Sequence, residues 1–238
     1  RVDITYKSSA QYRDNFNNSL NPALPFVVQT VNTITTIDGL GGPVQTSTYN
    51  YEGGKYYFGN ALDRKFAGFA KVVATDSIGN TIASYFHQGD ATNSAQGEFS
   101  DHQSKIGKVY RTETADSSGN KYNVTLNKWE NYDLGSSRNF TKLTQNIGFT
   151  YDGNLSHKDK AATFTYDNSN GNLVSKVDWG EVSGTVAGTF TDTGTDKLTS
   201  ATNYASNISL NILGLPSQQT TTDQSSNKIN EQKFYYDS

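Results

Sequence analysis

The 238-residue sequence contains no cysteine, no methionine and only four prolines. Without cysteine there are no disulfides, no thiolate metal ligands and no cysteine nucleophile. Charge of one sign is lacking too: 20 basic and 23 acidic side chains leave a net charge of −3. Acid and base are spread along the chain, so no basic stripe offers nucleic acid an electrostatic footprint. No apolar run approaches the roughly 20 residues of a membrane-spanning helix, and no signal-peptide pattern opens the chain. Hydrophobic residues make up 34% of the sequence, with a mean hydropathy of −0.67, which is low for a compact globular domain. No window combines a 3.6-residue apolar stripe with helix caps, so very little helix is expected.

What the chain does have is aromatic residues and corner formers. It holds 15 Tyr and 12 Phe, an aromatic content that excludes disorder for most of its length. Thr, Asn, Ser and Gly supply much of the remainder. This mixture suits exposed β-hairpins: pleated surfaces favour β-branched and aromatic side chains, and corners favour Gly and Asn.

A polar Gly-Asn corner returns along the sequence. It reads Asp76-Ser77-Ile78-Gly79-Asn80, then Asp116-Ser117-Ser118-Gly119-Asn120. Two further corners open with Tyr-Asp: Tyr151-Asp152-Gly153-Asn154-Leu155 and Tyr166-Asp167-Asn168-Ser169-Asn170-Gly171-Asn172-Leu173. Reuse of one supersecondary unit points to a repeat architecture. The flanks carry strand chemistry. Residues 27–38 and 44–51 read as a hairpin ended by Glu52-Gly53-Gly54; 66–75 and 81–87, and 109–115 and 121–129, flank the first two corners. Residues 88–104 read as a polar loop, and 180–200 as a solvent loop or ragged hairpin. Ile208, Leu210 and Ile212 alternate as a strand that Gly214-Leu215-Pro216 stops. The fold class predicted is all-β: consecutive antiparallel hairpins forming a repeat-built, curved sheet. The chain does not begin with Met, and Phe234-Tyr235-Tyr236-Asp237-Ser238 holds only the front of a Tyr-Asp unit, so a fragment of a longer protein is expected.

Several separated motifs resemble one family. Asn21-Pro22-Ala23-Leu24-Pro25-Phe26, the pair Tyr49 and Tyr51, and Asp63-Arg64-Lys65-Phe66-Ala67-Gly68-Phe69 are similar to the middle region of the B component of bacterial insecticidal toxin complexes. Tyr85-Phe86-His87-Gln88-Gly89 and Gly107-Lys108-Val109-Tyr110-Arg111-Thr112-Glu113 continue it in the same order. The two Tyr-Asp units resemble YD repeats of these proteins and of Rhs proteins. The resemblance implies β-hairpins that spiral into a hollow shell enclosing a toxic polypeptide. It implies a secreted or surface-exposed bacterial protein whose partners are adjacent repeats of the same polypeptide, an encapsulated toxin and other toxin-complex subunits. Three regions follow: a polar entry segment at 1–20, a B-component-like region at 21–135, and YD-like hairpins at 136–238.

A wall requires no nucleophile and no cofactor, and none is predicted. His87, His102 and His157 lie far apart in sequence and lack zinc spacing, so structural roles are expected. Residues 167–172 resemble a calcium loop, but Gly171 is fifth rather than sixth and position twelve is Asp178 rather than Glu, so a β-turn is favoured. Glu113, Glu130 and Asp133 are candidates for an acid pair of the glycoside-hydrolase kind. The exposed Tyr and Trp admit sugar stacking as an alternative to packing across strands. The Tyr-Asp pairs are read as corner locks, the ring covering the next strand and the carboxylate capping the corner. The leading reading is a structural shell section without catalysis. A surface adhesin or carbohydrate-binding β module is the alternative, and a β-sheet polysaccharide hydrolase the third reading.

Overall fold

A computed structural model describes residues 1–136 and 138–236. Its strands are β1 (Val2–Ser8), β2 (Gln29–Thr36), β3 (Gln45–Phe58), β4 (Arg64–Thr75), β5 (Thr81–Phe86), β6 (Val109–Ala115) and β7 (Lys121–Asp133). They continue as β8 (Asn139–Thr150), β9 (Lys158–Tyr166), β10 (Leu173–Gly184), β11 (Phe190–Asp192), β12 (Leu198–Asn207), β13 (Ile212–Thr222) and β14 (Lys228–Lys233). The only helical turns among the described residues are short 3-10 segments.

All the strands belong to one open, curved sheet in which each pairs antiparallel with its neighbour in sequence. β11 is the exception to the linear order: it pairs with the far end of β10, while β12 pairs with the near end on the same side. The outer strands of the sheet are β1 and β14. The all-β hairpin fold expected from composition and corners is thus observed.

The period-two pattern sets the core. Across β7 and β8, Val124 faces Phe149 and Leu126 faces Ile147, and Ile147 faces Ala161 on β9. With Val182 these residues form the buried cluster, and Tyr151, Trp179 and Phe190 pack against it. Arg111 and Glu113 oppose Leu126 and Val124 on β6, so they share this face. The 87–108 loop lies over it. Gly97 approaches so closely that a Cβ there would stand 2.7 Å from the Val186 carbonyl oxygen and 2.9 Å from Leu126 Cδ2.

Three details differ from the sequence expectation. Glu52-Gly53-Gly54 does not end the second strand. Gly53 takes a positive φ of 67°, the register slips between Gly54 and Tyr56, and β3 continues to Phe58. Gly53 itself stays in register, and the extra residue lies on the partner strand β4, where Ala67 and Gly68 together oppose Lys55. The 208–212 alternation is not one strand: Ile208–Leu210 is a 3-10 turn, Asn211 has φ 54°, and β13 starts at Ile212. Pro216 lies inside β13 instead of stopping it. β14 pairs only as far as Gln218, so beside Pro216 one side of the strand makes no ladder, where a missing N–H is tolerated. The 180–200 segment is the ragged hairpin, β10 turning through 185–189 into β11. The terminal Tyr236-Asp237 unit falls partly outside the described residues, which end at Tyr236.

Candidate functional site: corners, ring cluster and clasped loop

The corners are built by one device. In Asp116-Ser117-Ser118-Gly119-Asn120, Asp116 Oδ1 accepts from the backbone N–H groups of Ser118 and Asn120, both at 2.9 Å. Oδ2 accepts from Asn120 Nδ2 at 2.9 Å, and Gly119 N donates to the Asp116 carbonyl at 3.0 Å. The Asp76–Asn80 corner repeats this arrangement. So do Asp14–Asn18 and Asp223–Asn227, where Asn17 (φ 64°) and Ser226 (φ 66°) occupy the left-handed position that Gly79 and Gly119 fill elsewhere. Sequence reasoning missed these last two by looking for Gly-Asn; the spacing Asp-x-x-x-Asn is the signal that finds all four. Hydrogen bonds from the paired Asn hold the Asp14, Asp116 and Asp223 carboxyls below the usual range. For Asp76 desolvation is the largest single influence and raises the carboxyl, but the bonds from Asn80, Ile78 and Gly79 together hold it below the usual range.

The two Tyr-Asp units are not equivalent. Asp167 caps its corner, accepting from Ser169 N at 2.8 Å, Ser169 Oγ at 2.7 Å and Asn170 Nδ2 at 2.8 Å. The bonds from Ser169 lead in lowering its carboxyl. Asp152 does not cap. It sits inside the turn at φ 52° beside Gly153 at φ 75°, Asn154 N bonds the Tyr151 carbonyl, and its carboxylate accepts no hydrogen bond among the described residues. Two consecutive positive φ values make this a tight primed turn, which leaves no backbone N–H facing the Asp152 side chain. Tyr151 packs on the core cluster and on His157 at 4.9 Å between ring centroids, while Leu155 is 97% exposed. Tyr166 faces Leu173 across the hairpin and meets Phe140 edge-on at 6.1 Å. Gly171 has φ 82°, and Asn172 bonds the Leu213 carbonyl across to β13.

The family-like motifs are structural in geometry. Asp63 closes a turn with Asn60, and Arg64 begins β4 opposite Phe58. Phe66 and Phe69 meet edge-on at 5.7 Å and extend to Phe26 and Tyr51, while Gly68 bends the strand at φ 79°. Asn21 fastens this ring cluster to the sheet. Its Nδ2 donates to the Ser9 and Tyr51 carbonyls, both at 3.0 Å, and its Oδ1 accepts from Gly54 N at 2.7 Å. Thr112 pairs between Ser84 and Thr125.

The candidate acid pair is not assembled. Glu113 is bound by Arg111 Nε and Lys121 Nζ, both at 3.0 Å. Burial works against its charge, but these cations hold its carboxyl below the usual range. Glu130, opposite Lys142, lies six residues further along the β6–β7 ladder than the Val124 that faces Glu113, roughly 20 Å away at strand spacing. Glu130 pairs with Lys128, and Asp133 accepts from Gly135 N.

His87 meets acids that its sequence neighbourhood does not reveal. Separated from the other histidines, it is brought against two acids of the 87–108 loop. Its Nδ1 lies 2.7 Å from Glu98 Oε1 and 3.0 Å from Asp101 Oδ1, with all three side chains buried. Asp101 also accepts from Gln88 N, Gly89 N and His102 N, so it organises the loop. Burial opposes charge on the ring, but the two carboxylates outweigh it and raise the His87 pKa. Gln88 then staples the loop to the Gly53 carbonyl at 2.7 Å. Elsewhere, a cavity of about 830 Å³ opens beside the first Tyr-Asp unit, lined by Tyr151, Asp152, His157, Lys158, Glu181 and Asp196 among others.

Comparison with known proteins places this geometry. Residues 1–96 match the family model of the insecticide toxin TcdB middle/N-terminal region. Two solved structures share the fold: TcdB2-TccC3 without its hypervariable C-terminal region, at TM-score 0.66, and TcdB2-TccC3, at TM-score 0.62. Each is 15% identical to this chain and covers 92% of it. The chain spans 14% of the length of either structure. No curated protein matches significantly. In sequence over its first 96 residues, and in fold over most of its length, this chain resembles the middle region of the B component of an insecticidal toxin complex.

Proposed function

We propose that the chain is a wall section of a toxin-complex shell that encloses or presents a polypeptide cargo, without catalysis of its own. The observation that carries this reading is the topology. Each hairpin pairs with the next in chain order, so the sheet grows along one direction and leaves β1 and β14 as its outer strands. Such a sheet forms a surface extendable at either side, and its unpaired edges call for further strands to cover them. Asparagine and aspartate side chains hold corners and loop anchors, Glu113 and Glu130 are tied to lysine and arginine, and Asp133 accepts from Gly135 N. The partners that fit are neighbouring repeats and a TccC3-type polypeptide, in a secreted or surface-exposed assembly. The division into 1–20, 21–135 and 136–238 is proposed with it, the last boundary falling in the turn between β7 and β8.

The test is co-expression with a TccC3-type polypeptide, followed by size-exclusion chromatography and protease challenge. Co-elution with protection of the partner from protease is expected. Absence of association would overturn the reading. The carbohydrate-binding alternative draws on the Tyr151 cavity; glycan-array binding that is lost in Tyr151→Ala would favour it.

A further inference from the structure

We propose that His87, Glu98 and Asp101 form a binding site for a divalent first-row transition metal, zinc being the best match. The three ligand atoms lie within 4.8 Å of one another. The side chains are 0%, 3% and 1% exposed, respectively. His87 Nδ1 carries at most one proton, and that N–H has one direction. It satisfies Asp101 Oδ1 at 3.0 Å. Glu98 Oε1, although 2.7 Å from the same nitrogen, is left buried with no hydrogen bond. A buried carboxylate oxygen without a partner is costly. A cation replacing the ring proton removes that conflict, because it bonds all three atoms at once. Zinc binds imidazole nitrogen and carboxylate oxygen at about 2.0–2.2 Å, which in a tetrahedral shell places ligand atoms about 3.3–3.6 Å apart. The observed separations of 2.7 and 3.0 Å are shorter than that, so the two carboxylates would swing outward by roughly half an ångström to admit the ion.

The ligands are held independently of any ion. Three backbone N–H groups fix Asp101, and Asn93 N donates to Glu98 Oε2 at 2.5 Å. Lys105 enters the same loop but donates to the Phe99 and Ser100 carbonyls and makes no ion pair among the described residues. One nitrogen and two oxygens favour zinc or manganese over calcium and magnesium, which take oxygen ligands. His87 Nε2 has no acceptor. Loss of such an outer contact weakens a metal site by about 10–100-fold, so the site is weaker than a closed structural zinc site. Its effect would be to clamp the 87–108 loop onto the sheet.

The experiment uses chelator-treated protein titrated with zinc, followed by thermal unfolding. At zinc a hundredfold above Kd, a melting temperature rise of about 5–11 °C is expected, with none from magnesium. Cobalt should give visible d–d absorption, and His102→Ala should retain both signals. Glu98→Gln should abolish the zinc shift. X-ray absorption of the zinc-loaded wild type, which needs no variant, should report a single imidazole in the first shell. Absence of any zinc shift and cobalt band in the wild type overturns the proposal and leaves a protonated histidine clasp. So does a shift that persists in Glu98→Gln, or a first shell with two imidazoles.

Discussion

Asn120 donates its Nδ2 hydrogen to Asp116 Oδ2 at 2.9 Å, closing a five-residue corner whose ends are four positions apart. The same bond joins Asn80 to Asp76 and Asn18 to Asp14 at 2.9 Å, and Asn227 to Asp223 at 3.0 Å. One local circuit therefore turns the chain four times, and it requires a charged carboxylate each time.

Acid should weaken these corners together. Their folded-state pKa values lie below the ordinary aspartate value. The stabilisation is therefore full above the unfolded value and is lost as pH falls through the lower folded values. Melting temperature is expected to drop between pH 5 and about pH 2. The triple variant Asp76→Asn, Asp116→Asn, Asp223→Asn should start lower at pH 7 and show a shallower acid drop. An equally steep drop would count against the carboxylates as its source.

Glycine substitutions should separate backbone strain from steric contact. Gly107 has φ 81° and open space at its Cβ position, whereas a Cβ at Gly97 would meet Val186 and Leu126 below 3.0 Å. Gly107→Ala is expected to cost about 1 kcal/mol from the left-handed conformation alone. Gly97→Ala should cost more, with the 87–108 loop displaced. At Gly171 (φ 82°), a valine adds β-branching near Phe140 and should cost about 1–2 kcal/mol or more. Urea unfolding of the three variants gives the comparison.

Core and corner aromatics should differ from the exposed leucine of the first Tyr-Asp unit. Phe149→Ala removes a ring 1% exposed and should cost about 3–5 kcal/mol. Leu155→Ala, at 97% exposure, should stay within about 0.5 kcal/mol of wild type. Tyr166→Ala should fall between them. A large effect at Leu155 in denaturant unfolding would mean that a partner or neighbouring strand covers it.

Asn21→Ala should loosen the 9–28 loop. Removing the side chain leaves the Gly54 N–H and two carbonyls without it in a buried setting. The expected cost is about 1–3 kcal/mol. Limited proteolysis should show faster cleavage within 9–28 while cleavage near the β7–β10 core is unchanged.

The sequence by itself determined the β class, most strand positions and the corners at Gly79, Gly119, Gly153 and Gly171. These depend on local chemistry: period-two alternation, and backbone conformations that glycine or asparagine adopts at low cost. It also carried the family resemblance over residues 1–96, because that lies in contiguous motifs such as 63–69. It did not separate the capping Asp167 from the non-capping Asp152, because the difference is one of turn geometry between identical dipeptides. Nor did it foresee that β3 continues through Gly53, since whether a strand carries on past a glycine depends on the pairing that its neighbour offers. The meeting of His87 with Glu98 and Asp101, and the fastening of Asn21 to Gly54, were decided by tertiary structure alone. Each joins groups 11 to 33 residues apart, across loops whose path is set only when they pack on the sheet.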